Sequence, residues 1–199
     1  MQEWNRLAYS IDEKFVPLFD KVRKRGPVLS KSDIDNYKKM IDDCQSTYSK
    51  YKNSLINYED DNMKGRLTYA VEKMNTSISC ARFDLDKEIK RRYYYISGKY
   101  GINGEFEDIT KLFRNIDDNI KLNNNIASET EKINFQTNIS KQIEDLKEYK
   151  DDLEFWRDGN GRGDGVFEND PEMIKKINDT IKTIEEYIAK MTEQKKTKS

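Results

Sequence analysis

The sequence predicts an all-α fold, an elongated and coiled-coil-like antiparallel bundle of about six helices. Apolar residues recur along most of the chain in alternating steps of three and four, which is the spacing of an amphipathic helix. Only 35% of the residues are hydrophobic and 37% are charged, a balance that suits slender helices burying one seam each. Most of the nine glycines fall in two short stretches, 98–104 and 159–165, so the helix interiors are largely free of breakers.

The N-terminal half contains three predicted helices, at 3–25, 32–58 and 62–97. The first carries an apolar stripe from Trp4 to Val22, and we expect Pro17 to kink or split it. The second has the most regular seam, and Ser32 followed by acidic residues predicts its capped start. Its seam consists of Ile34, Tyr37, Ile41, Cys44, Tyr48, Tyr51, Leu55 and Tyr58. The third helix is predicted to end near Gly98.

The C-terminal half contains three further predicted helices, at 105–122, 129–157 and 171–195. Ser128 with Glu131 three residues later forms a capping box at the start of the second of these, and Ile133 is expected in its seam. Gln136 and Lys150 interrupt this seam, so part of it is expected to be exposed. Asp170 is a natural N-cap for the last helix, and Pro171 suits its first turn.

The break at 98–104 predicts two three-helix units. Residues 1–100 carry 20 Lys and Arg against 15 Asp and Glu, so the N-terminal unit is net positive. Residues 101–199 carry 16 against 22, so the C-terminal unit is net negative. The alternative is a single bundle in which the long helices 62–97 and 129–157 pack across the break.

Two cysteines, Cys44 and Cys80, are too few for a disulfide framework. Both fall among apolar helical positions, so we expect reduced thiols partly buried in the seams. The sequence has no signal-peptide-like segment and no apolar run of membrane-spanning length. The expectation is a soluble, intracellular protein.

The composition argues against catalysis. The chain has no histidine, which removes the commonest general base and metal ligand and excludes Ser-His-Asp and Cys-His arrangements. Neither phosphate-binding glycine motif is present in its required context. We therefore expect no cofactor and no enzymatic activity, while a carboxylate-only enzyme remains a third alternative.

The segment 158–170 connects two predicted helices and is rich in glycine and in oxygen-bearing side chains. Asp158, Asn160, Asp164 and Glu168 make it a weak candidate for calcium binding. Neither possible EF-hand register places a carboxylate at every required position, because Arg162 falls on a ligand position in both. A polar loop without a metal is the preferred interpretation.

Two basic runs, at 21–25 and 87–92, lie near the C-terminal ends of the first and third predicted helices. In an up-down-up arrangement these helices are parallel, so the two runs should meet at one pole and produce a local positive field. The candidate anion-binding residues are Lys21, Arg23, Lys24, Arg25, Lys90, Arg91, Arg92, Tyr93, Tyr94 and Tyr95. The competing interpretation is that these cations only stabilise helix C-termini.

The sequence therefore favours a non-enzymatic helical scaffold or protein–protein interaction protein, whose partners are other proteins. Homo- or hetero-oligomers could form through the helix faces. The alternative function is a helical adaptor that binds anionic phosphate, in nucleic acid or at an anionic membrane surface, through the basic pole.

Overall fold

Helices account for almost all of the computed structural model, which describes residues 2–24, 26–123, 128–159 and 165–196. Of these residues 89% are helical and none lies in a strand, so the predicted all-α fold is confirmed. The helices are α1 (Gln2–Lys24), α2 (Lys31–Ile56), α3 (Asp61–Ser97), α4 (Ile102–Asn123), α5 (Glu129–Asp158) and α6 (Pro171–Lys196).

The helix starts follow capping chemistry. Ser128 and Glu131 form the predicted capping box of α5. Asp170 caps α6, because its carboxylate accepts a hydrogen bond from the backbone N–H of Met173 at 3.2 Å. The predicted cap of α2 at Ser32 is wrong: Ser30 is the N-cap, and its hydroxyl accepts from the backbone N–H of Asp33 at 3.0 Å. Ser30 lies three residues before an acidic residue, the spacing that a capping box needs.

The chain divides into two compact units, Met1–Arg92 and Tyr93–Ser199, so α3 contributes to both. The division into three-helix units at 1–100 and 101–199, and the alternative of a single bundle, remain predictions.

The first unit is an up-down-up arrangement of α1, α2 and the longer part of α3. Trp4 at the start of α1 packs edge-on against Tyr51 near the end of α2, with ring centroids 4.8 Å apart. These two helices are therefore antiparallel. The main core contains Ala8, Ile11, Phe15, Leu18, Leu29, Ile34, Ile41, Cys44, Met74, Ile78, Ala81 and Leu85.

In the second unit, α5 runs antiparallel to both α4 and α6. Lys150 lies 2.6 Å from Glu185, and Arg157 donates to Asn178 at 2.9 Å, which sets the register of α5 against α6. The connection before α6 turns inward and buries Phe167 completely. A side chain at Gly165 would overlap the carbonyl oxygen of Arg157, so this turn requires glycine.

The expected burial of Cys80 is wrong, and two other local expectations are refined. Cys44 is buried, as predicted, but Cys80 is exposed, because the seam at this level follows Ile78 and Ala81 and Cys80 lies on neither row. Ile133 is 57% exposed, since the buried seam of α5 begins only at Ile139. Because α1 continues through Pro17, the split does not occur, and the expected kink stays a prediction. The missing N–H of Pro17 leaves the carbonyl of an exposed residue, Glu13, for water to satisfy.

Candidate interaction surfaces

The two basic runs lie at the same end of the first unit. Arg91 donates to the carbonyl oxygen of Gly26 and, at 2.9 Å, to the buried carboxylate of Glu88. Arg92 donates to the carbonyl oxygen of Leu29 at 3.0 Å. Both arginines therefore hold the connection between α1 and α2 against α3, which is a structural role.

The remaining predicted anion-binding cations differ in exposure. Arg23, Lys24 and Lys90 are exposed, Lys21 is half-buried, and Arg25 lies outside the described residues. Of the predicted anion-binding cations that the structure describes, three are thus exposed at this end, besides the two arginines that bind backbone carbonyls. The structure brings the two runs together, but the guanidinium groups of Arg91 and Arg92 bind the protein's own backbone.

The tyrosines that follow Arg92 belong to the second unit, and they differ from one another. Tyr93 and Tyr94 are 67% and 58% exposed. Tyr95 turns inward, and its ring packs edge-on against Trp156 with centroids 6.0 Å apart. Tyr95 is therefore part of the packing of its unit. The ring of Tyr94 packs edge-on with that of Tyr95, with centroids 5.6 Å apart, so Tyr94 is exposed on part of its surface and Tyr93 on most of it.

Two of the four weak metal candidates, Asp158 and Glu168, lie in the described part of the chain. Asp158 pairs with Arg157 at 2.6 Å, and this bond lowers the pKa of its carboxyl group. Glu168 is exposed, while Asn160 and Asp164 lie outside the described residues. Within the described ranges, cysteine and carboxylate side chains nowhere gather in groups of three that could hold a metal ion.

Two polar pairs in the second unit join α4 to its neighbours. The indole N–H of Trp156 donates to Glu105 at 2.7 Å, and burial raises the pKa of this carboxyl group, with the hydrogen bond opposing and Asp152 adding to the rise. The hydroxyl of Tyr187 donates to Asp117 at 2.8 Å, where Lys190 also binds at 3.2 Å. Burial and this bond raise the pKa of Tyr187 to about 12.

An open groove of about 540 Å³ lies between α4 and α5. Its carboxylates at Asp108, Asp145 and Asp152 surround Tyr149, whose pKa is raised first by burial and then by these charges. Lys111 and Lys141 also line the groove, and Lys111 lies 2.8 Å from Asp108. This is the pattern of a solvated helix surface with paired charges.

In the first unit, α1 and α3 lie side by side and parallel. The ammonium group of Lys73 sits 3.3 Å from the ring centre of Tyr9, and Ser77 donates to Asp12 at 3.0 Å. Together with the bond from Arg91 to Gly26, these contacts place each residue of α1 level with one roughly 65 positions later on α3.

Large apolar side chains are exposed along this pair of helices. We call the surface formed by Tyr9 and Val16 of α1 with Tyr69, Thr76, Cys80 and Phe83 of α3 the α1–α3 face. Tyr69 is 68% exposed, Phe83 62%, Tyr9 57% and Val16 44%. Tyr69, Thr76 and Phe83 recur every seven residues, so they form one row along α3 on the side opposite its core seam.

The outward row of α2 is different. Residues at the same seven-residue interval, opposite its buried seam, are Lys39, Ser46 and Asn53, all of them exposed and polar. Within this unit, the outward row of α2 is polar, as expected for a surface in water, whereas the α1–α3 face exposes large apolar side chains.

Sequence reasoning missed the α1–α3 face because it followed only the seam rows. The signal was present off the seam, where Val16 follows Tyr9 by seven residues and Phe83 follows Tyr69 by fourteen.

Among the described residues, no helix has both the length and the apolar character that crossing a membrane requires. No protein-family model, curated protein or solved structure matches the chain.

Proposed function

We propose that this chain is a non-enzymatic helical scaffold that binds another protein chain through the α1–α3 face. The observation that carries the proposal is the exposure of Tyr69 and Phe83, at 68% and 62%. Both lie on α3 opposite its seam, which is well buried. Exposed apolar residues that form a contiguous patch are typical of interaction sites, whereas scattered ones are not informative.

The chemistry of the face suits a helical partner. Its apolar side chains lie in rows along two parallel helices, so an amphipathic helix can lie along the groove and insert side chains at matching intervals. Aromatic residues supply much of the binding energy at protein interfaces, because they bury a large area with few rotatable bonds.

Site-specific photo-crosslinking tests the proposal. A photoreactive phenylalanine analogue at position 83 should capture a protein in cells of the source organism, and the same analogue at Ser46, on the outward row of α2, should not. Both positions are exposed helical sites in the same unit, so the comparison isolates the face. Equal capture at both positions, or capture at neither, would overturn the proposal.

A second candidate is binding of anionic phosphate at the basic end of this unit. The exposure of Arg23, Lys24 and Lys90 there supports it. Replacing all three by Gln should reduce the dependence of nucleic-acid or anionic-vesicle binding on salt, by roughly 0.7–0.9 in slope for each lost phosphate contact. Arg91 and Arg92 are left intact in this test, since they bind backbone carbonyls. The absence of binding at low salt excludes this candidate.

A further inference from the structure

The charges that border the α1–α3 face differ between its two helices. On α1, Glu13 and Asp20 are exposed and lie seven residues apart, on the outward side of the row of Tyr9 and Val16. On α3, the exposed residues Lys87 and Lys90 follow Phe83, and Lys73 precedes it. The ammonium group of Lys87 lies 4.2 Å from the ring centre of Phe83. The α1 side of the face thus carries carboxylates beside Val16. The α3 side carries the ammonium groups of Lys87 and Lys90 near Phe83. The side chain of Lys87 is half exposed, and its ammonium group also lies 3.5 Å from Asp84 of its own helix.

These two sides complement each other at the same level of the bundle. A residue of α1 is level with one roughly 65 positions later on α3. Val16 is therefore level with the stretch from Cys80 to Phe83, and Asp20 lies within about one helical turn of the level of Lys87. The carboxylate of Asp20 is thus close in level to the ammonium group of Lys87, and Val16 is close in level to the ring of Phe83.

We infer that the partner of the α1–α3 face is a second copy of this chain, related by a two-fold axis parallel to the helices. This inference rests on the proposed function and names the partner. Such an axis keeps every residue at its own level while it places α1 of one copy on α3 of the other. Val16 then meets Phe83 of the other copy, and Asp20 meets Lys87, and both contacts occur twice.

The charges select this arrangement over the other two-fold pairing. An axis perpendicular to the helices would place α1 on α1 and α3 on α3 in antiparallel order. Centred between Glu13 and Asp20, it sets Glu13 of one copy against Asp20 of the other and Lys73 against Lys90. Juxtaposed like charges disfavour an interface and steer the encounter away from it. Either pairing removes both exposed apolar rows from water at once, so the charges decide between the two.

Sedimentation of the full-length chain tests this inference through a pair of charge reversals. The parent chain should form a dimer, and Asp20→Lys and Lys87→Glu should each weaken it by at least about tenfold, because each places two like-charge pairs in the interface. An equimolar mixture of the two variants should dimerise like the parent, since Lys at position 20 of one chain then meets Glu at position 87 of the other, and the native pair remains on the opposite side. Circular dichroism should show parental helicity for both.

Each contrary result has a distinct meaning. A parent dimer that neither reversal weakens, or a mixture that stays monomeric, overturns the pairing of Asp20 with Lys87 and with it the inferred dimer. If the parent chain is monomeric while the crosslinker at position 83 captures a different protein, the self-association is wrong and the proposed function stands. If the parent chain is monomeric and position 83 captures nothing, both fail.

Discussion

Aromatic residues serve opposite purposes in the two units. In the second unit, Trp156 and Tyr187 are partly buried and each donates a hydrogen bond to a carboxylate of α4, at 2.7 and 2.8 Å. On the α1–α3 face of the first unit, Tyr9, Tyr69 and Phe83 are more than half exposed. The difference teaches that aromatic content alone does not locate a binding surface. What matters is how much of the ring the fold covers. Tyr9 and Phe83 remain more than half exposed, although lysine ammonium groups lie 3.3 and 4.2 Å from their ring centres.

The aromatic contacts of the second unit connect several elements. The ring of Trp156 lies 5.9 Å from Phe167 in the connection before α6 and 6.0 Å from Tyr95 at the end of α3. The rings of Phe113 and Tyr187 stack with centroids 4.3 Å apart, which joins α4 to α6. Changes to these residues should therefore affect stability, whereas changes to the α1–α3 face should affect binding.

The largest effect is expected at Phe167, which is fully buried. Phe167→Ala should lower the free energy of unfolding by about 3–5 kcal/mol, because the cavity left against Trp156 can collapse only in part. Phe155→Ala, at a site 51% exposed on α5, is the matched control and should cost less than about 1 kcal/mol. Urea unfolding followed by circular dichroism measures both. Equal losses would show that the two rings contribute equally to packing.

A smaller effect is expected at Tyr187. Tyr187→Phe keeps the stack on Phe113 but removes the hydrogen bond to Asp117, so it should cost about 1 kcal/mol at neutral pH. The pKa of Tyr187 is raised from 10.0 to about 12, so the folded state favours the neutral phenol. Its contribution is fully present below pH 10 and is lost as the pH rises towards 12.

The measurement is the difference in unfolding midpoint between the parent and Tyr187→Phe as a function of pH. This difference should be constant at neutral pH and should shrink across the alkaline window. A difference that stays constant through that window would mean that the phenol–carboxylate bond does not stabilise the fold.

A still smaller effect, of opposite sign, is expected at Glu105. Burial raises the pKa of this carboxyl group above its ordinary value of 4.5, so its contribution is fully present below that value and is lost as the pH rises through the raised pKa. Glu105→Gln keeps an oxygen that can accept from Trp156 and removes the charge. It should therefore stabilise the chain at pH 7 by less than about 1 kcal/mol and have no such effect in acid. A gain that grows as the pH falls would contradict the sign.

The sequence was sufficient to predict the helices because their seams are periodic and their ends carry strong signals. The capping box at Ser128 and the cap at Asp170 are local features, fixed by residues within one turn. The error at Ser32 is local, because the spacing from Ser30 to Asp33 already fits a capping box. The other errors have tertiary causes. Cys80 lies one position before a seam residue, and only the direction of the neighbouring helices decides on which side of the seam it falls. The exposure of Ile133 likewise depends on where the seam of α5 begins.

The candidate surfaces were predicted less well than the fold. The meeting of the two basic runs followed from the up-down-up order of the helices. The use of Arg91 and Arg92 to bind the carbonyl oxygens of Gly26 and Leu29 did not, because it depends on the path of the chain between α1 and α2. The α1–α3 face could not be assembled without the axial register of the two helices, which only their contacts provide.

The concentration dependence of unfolding tests most directly whether the α1–α3 face joins two copies of the chain and is not part of the fold. For the parent and for Ser46→Asp, the urea midpoint should rise with protein concentration, because association stabilises the folded chain by mass action. For Phe83→Asp the midpoint should be independent of concentration, while the stability of the dilute chain stays within about 0.5 kcal/mol of the parent. If Phe83→Asp instead lowers the stability of the dilute chain by more than about 2 kcal/mol, or keeps the concentration dependence of the parent, the account is contradicted.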